Sequence, residues 1–71
     1  MSPDKMVLMA NQIATFFRSQ PGDRVGDVAA HLLDYWAPPM RAQLAAHVRD
    51  GGCGLDDLVI QAVCRPGFAP A

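Results

Sequence analysis

The stretch "VGDVAAHLLDYWAPPMR", Val25 to Arg41, decides the fold. Val25, Val28, Ala29, Leu32, Leu33 and Trp36 fall at i, i+3, i+4, i+7, i+8 and i+11, the spacing that lays one apolar stripe along a helix. The pattern then meets Pro38 and Pro39. Proline lacks an amide hydrogen and its ring clashes with the preceding turn, so a helix cannot run through the pair. It is tolerated in the first turn of a new helix, where amide hydrogens have no intrahelical partner. The spacing therefore predicts one helix from about Asp23 to Trp36 and another from Pro38 or Pro39. The chain's one Trp and one Tyr stand at the corner between them.

The flanks read the same way. Upstream, Ser2, Pro3 and Asp4 form a helix start: an N-cap, a first-position proline and an acid at the positive end of the dipole. Met6, Met9, Ile13 and Phe16 or Phe17 follow at helical spacing, widened by Val7, Ala10 and Ala14. Gln20-Pro21-Gly22 ends this segment. The helix after the double proline carries Met40, Leu44, Ala45 and Val48, and stops at Asp50–Gly54, with Gly51 ready to take the positive φ of a helix C-terminus. A short last segment has Asp56 as N-cap and Leu58, Val59, Ala62 and Val63 on one face, ending at Pro66. Nothing alternates as a strand does. The expected class is all-α: a small bundle of three helices plus a short fourth, C-terminal helix. It forms a single domain over residues 1–65, with 66–71 as a loose tail.

Composition narrows the function. With 71 residues the chain makes one domain, and so small a domain buries only about 60% of its unfolded surface. Yet 51% of its residues are hydrophobic and only 18% charged, against roughly a quarter charged in ordinary domains. Some apolar side chains should therefore face another protein. The surplus also leaves room for a homodimer of the isolated chain. The net charge is −1, and the six Lys and Arg are scattered, which speaks against nucleic acid as a partner. No apolar run reaches the ~18 residues of a membrane span, and the N-terminal segment does not read as a signal peptide. The expected location is the cytoplasm, where Cys53 and Cys64 stay reduced.

Chemistry is hard to find. There is no P-loop, GxGxxG, HExxH or CxxC motif. His31, His47, Cys53 and Cys64 are the right types for zinc at the wrong spacings. The acids sit mostly at helix starts, where the dipole accounts for them. A domain this small is not expected to wall a pocket of a few hundred Å³. Asn11 and Gln12 lie mid-helix among apolar residues, so one of their amides points near the buried stripe and needs partners, or else both face solvent.

Three blocks carry a family likeness: "MANQIATFF" (Met9–Phe17), "HLLDYWAPPMR" (His31–Arg41) and "GGCGLDDLVIQAV" (Gly51–Val63). In this order, from about Lys5 to Val63, the chain resembles the delta subunit of the soluble NAD-dependent formate dehydrogenases. The family pattern follows an aromatic-Trp pair with Asp-Pro-Arg-Met-Arg. Tyr35, Trp36, Pro38, Met40 and Arg41 keep it, while Ala37 and Pro39 depart from it. Losing the aspartate removes an N-cap worth ~1 kcal/mol. The resemblance implies a small accessory subunit of a cytoplasmic complex, not an enzyme itself. The larger subunits would carry molybdenum or tungsten with molybdopterin guanine dinucleotide, iron–sulfur clusters and FMN, and would oxidise formate and reduce NAD. This chain would hold no cofactor and would support assembly or stability of the catalytic subunit.

Trp, Tyr, Met and Arg are the types that concentrate at interface cores. The residues expected to bind the partner are therefore Asn11, Gln12, Tyr35, Trp36, Met40 and Arg41. For Trp36 the alternative is a plain core position. For the whole chain the alternative is a free-standing, self-associating helical interaction or regulatory module.

Overall fold

A computed structural model describes residues 2–68; the rest of the segment read as a tail, 69–71, lies outside them. Four helices follow in order: α1 Pro3–Arg18, α2 Arg24–Tyr35, α3 Pro38–Arg49 and α4 Asp57–Val63, with no strand among the described residues. The protein is all-α.

The ends of the helices are set by local chemistry. The Ser2 hydroxyl accepts from the Lys5 amide at 3.2 Å, Asp23 from Gly26 at 3.0 Å, and Asp56 from Leu58 at 2.9 Å. Each bond satisfies an amide that has no carbonyl partner in the first turn. Only α3 starts without such help: its N-cap is Ala37, which makes no side-chain bond. Its first turn survives because Pro38 and Pro39 have no amide hydrogens to satisfy, and the Met40 and Arg41 amides both reach the Ala37 carbonyl, at 2.9 and 3.1 Å. At its other end, Gly51 at φ 119° lets the chain fold back. The Gly52 amide then donates to the His47 carbonyl and the Gly51 amide to the Val48 carbonyl, the paired bonds of a Schellman turn.

The core runs through the expected stripes. Met6, Ala10 and Ala14 come from α1, Val28, Ala29 and Leu32 from α2, Leu44 and Ala45 from α3, and Val59, Ala62 and Val63 from α4. The shortest helix is the centre of the packing. Its most extensive contact is with α2, and it also meets α1 and α3, while α3 is held chiefly by α4. A helix of seven residues is too short to be stable alone, so α4 exists because the other three surround it.

Pro66–Phe68 differ from the expected loose tail. Phe68 is only 2% exposed and joins the core, and its amide donates to the Arg65 carbonyl in the turn after α4. An apolar ring of this size gains about 2 kcal/mol from burial, enough to hold a short turn in place.

Candidate functional site

Seen from its chemistry, the molecule has two unlike faces. On one, the loop between α3 and α4 is tied to α1. The Asn11 amide donates to the Gly54 carbonyl at 2.9 Å, and its oxygen accepts from the Asp56 amide at 2.8 Å. Arg18 pairs with Asp56, and Arg65 at the end of α4 pairs with Asp23 at 3.0 Å. The Asp56 carboxyl is pushed up by partial burial, but the Leu58 amide and Arg18 outweigh this and hold it below its ordinary value. The Gly26 amide, with Arg65, holds Asp23 below its ordinary value too.

The other face, between α1 and α2, is apolar and open. Met9, Ile13, Phe16 and Phe17 of α1 face His31 of α2 and Trp36 across a groove of about 360 Å³, with Gln12 on its edge. The expectation that so small a domain has no such hollow is therefore corrected. Aliphatic and aromatic side chains of α1, His31 of α2 and Trp36 just after α2 build its sides. A row of rings runs across it: Phe16 meets Phe17 edge-on at 5.1 Å, Phe17 meets His31 at 5.8 Å, and His31 meets Tyr35 at 4.7 Å. The outer members of the row are the wet ones, Phe16 being 60% and Tyr35 75% exposed. Edge and tilted arrangements are the ones that aromatic rings prefer, because the positive edge of one ring meets the negative face of the next.

The residues singled out from sequence divide between these faces. Gln12 lies on the groove edge and Tyr35 stands exposed at one end of the row. Trp36 is a core residue, 6% exposed, whose ring also forms part of the groove lining. Met40 is half-buried against the core. Asn11 is turned the other way and spends both ends of its amide inside the chain. Arg41 is also used internally: its Nη1 donates to the Trp36 carbonyl at 2.6 Å and the Leu33 carbonyl at 3.2 Å. These are C-terminal carbonyls of α2, which lack helical partners and carry the negative end of the dipole. Arg41 thus fastens the start of α3 under the end of α2 and makes the corner rigid.

Met9, Ile13, Phe16, Phe17 and His31 line the groove but were not among the expected partner-binding residues. One signal for them was present. Adjacent residues on a helix point about 100° apart, so Phe16 and Phe17 cannot both enter the core. Among the described residues no three of His, Cys, Asp or Glu come together as a metal would require, and Cys53 and Cys64 are free, exposed thiols. No helix of the described residues is long and apolar enough to cross a membrane.

The model of one protein family, the NADH-dependent formate dehydrogenase delta subunit FdsD, matches residues 5–63. No curated protein matches the chain. The chain belongs to the formate dehydrogenase delta subunit family.

Proposed function

We propose that this member of the delta subunit family is a non-catalytic accessory subunit of a cytoplasmic, molybdenum- or tungsten-containing formate dehydrogenase. It docks on the catalytic subunit and supports that subunit's assembly or stability. The observation that carries the reading is the α1–α2 groove with Phe16 and Tyr35 standing exposed at the ends of its aromatic row. Exposed rings over an apolar floor bind protein surfaces well and perform no chemistry alone. The groove has no pair of titratable groups for acid–base work, His31 being the one such residue in its lining. Molybdopterin guanine dinucleotide, iron–sulfur clusters and FMN belong on the larger subunits in this reading. An iron–sulfur cluster needs four thiolates or their equivalent, and this chain has two cysteines.

The test is capture with the tagged full-length chain from its native cells. The expected result is a large subunit bearing molybdenum or tungsten, with formate-dependent NADH formation, and its loss on Phe16→Ala. Recovery of the chain alone, as a self-associated species, would instead leave a free-standing helical module.

A further inference from the structure

We propose that α1 of the free chain pairs with α1 of a second copy, the two helices running antiparallel about a twofold axis at Gln12. The pairing needs this chain alone, so it stands or falls apart from the accessory-subunit reading.

One stripe of α1 carries the argument. Lys5, Leu8, Gln12, Phe16 and Ser19 are spaced three, four, four and three residues apart, so they follow one line along the helix. All five are exposed, and Leu8 at 59% is as open as Phe16. The order reads the same from either end: polar, apolar, amide, apolar, polar. A twofold axis through Gln12 therefore sets Leu8 against Phe16 of the second copy and Phe16 against its Leu8, the reciprocal contact of an isologous interface. Gln12 meets its own counterpart. An amide suits that position, because it both donates and accepts, and two of them bond each other. A different protein would cover Leu8 and Phe16 as well, but the symmetry of the stripe matches a second copy at every position.

Charge does not oppose the pairing. At each end the first turn of one copy, with Asp4 and Lys5, meets the last turn of the other. Arg18 there is held by Asp56, and Arg24 lies close by through its bond to the Gln20 carbonyl. Lys5 faces the negative end of the other helix's dipole and Asp4 brings the opposite sign to Arg24, so no block of one sign meets another of the same sign. Each copy carries a net charge of only −1. Area limits the strength. The 16 residues of α1 make a helix about 24 Å long and about 10 Å across. Each copy therefore covers no more than roughly 250 Å² of the other, against ~800 Å² per partner in a stable complex. The dimer is weak and exchanges readily, and it shields Phe16 until a stronger partner takes that ring.

Sedimentation equilibrium of the purified full-length chain measures the pairing from about 10 μM to about 1 mM, the range of a weak complex. Reducing conditions are used because Cys53 and Cys64 are exposed thiols. The chains compared are wild type, Phe16→Ala, Gln12→Lys, and an Ala30→Lys control that adds the same charge at an exposed position of α2. Circular dichroism melting confirms that each is folded. The expected result is a wild-type mass that rises from monomer to dimer across the range. Phe16→Ala should weaken the dimer about tenfold or more, as loss of an aromatic anchor does. Gln12→Lys should do the same, because it sets two like charges face to face on the axis. The control should stay within about twofold of wild type, as exposed charges away from an interface do. A wild type that remains monomeric to the top of the range would overturn the pairing. So would a dimer that Gln12→Lys leaves within about twofold of wild type, since its axis would then lie elsewhere.

Discussion

The α4 side and the α1–α2 side of this protein are built from opposite materials. Around α4, long-range polar links close the structure: Asn11 to the α3–α4 loop, Arg18 to Asp56, Arg65 to Asp23. Across the α1–α2 groove no such link appears among the described residues, and rings at the ends of the row face solvent. Polar bonds are directional and fix one arrangement, whereas apolar contact is tolerant of what it touches. The contrast teaches how so small a domain can close its fold with specific bonds on one side and keep apolar surface open on the other.

Asn11→Ala attacks the closed side and should have the largest effect on stability. It removes the donor to Gly54 and leaves the part-buried Asp56 amide without its acceptor. An unsatisfied buried group costs about 1–3 kcal/mol, a large share of what a domain of this size has. Urea denaturation measures it. A loss within ~0.5 kcal/mol would show that water replaces Asn11 freely and that the α4 side is not closed by these links.

Gly26→Ala should come next, with an unusual sign. In an exposed helix this change normally stabilises by about 1 kcal/mol. Here an added Cβ would lie 2.3 Å from Asp23 Oδ2 and 2.8 Å from Arg65 Nη1. The substitution must displace both the N-cap of α2 and its link to α4, so the melting temperature should fall. A rise would mean that this cap and ion pair contribute little.

Acid should loosen the same side more gently. Asp56 is lowered by its Leu58 and Arg18 bonds against the opposing effect of burial, and Asp23 by the Gly26 amide and Arg65. A carboxyl held below its unfolded value of about 3.9 contributes stability that is complete above that pH and is lost as pH falls through the folded value. Thermal melting should therefore be insensitive to these two groups above about pH 5 and weaken below about pH 4. Asp23→Asn keeps a competent N-cap while removing the charge, so it isolates the ionic part and should blunt the acid response.

Much of this was legible in the chain, and the division follows physical range. The helices, the Ser2 and Asp56 caps and the Gly51 turn depend on neighbours within a few residues, so the sequence displays them. The central position of α4 does not show, because seven residues with an ordinary apolar face give no sign of how many helices will surround them. Asn11 was visible as an amide needing a partner, but Gly54 and Asp56 lie more than forty residues away along the chain. Arg41 looked like a contact for a partner because its type favours interfaces. Its actual partners are carbonyls that become free only once Pro38 and Pro39 have ended α2 and turned the chain.

Phe16→Ala is the sharpest test of the contrast because its effect on stability should be the smallest. The ring is 60% exposed and its one aromatic neighbour, Phe17, stays in contact with His31 without it. Truncating such a surface residue shifts stability by no more than ~0.5 kcal/mol. The same truncation removes an aromatic anchor of the type that dominates binding energy, for which losses of about 2 kcal/mol or more are usual. A chain that melts as wild type does but no longer captures the large subunit would show that the open side serves binding alone. If Phe16→Ala instead lowers the melting temperature and leaves capture intact, the row of rings belongs to the core and the partner meets the protein elsewhere.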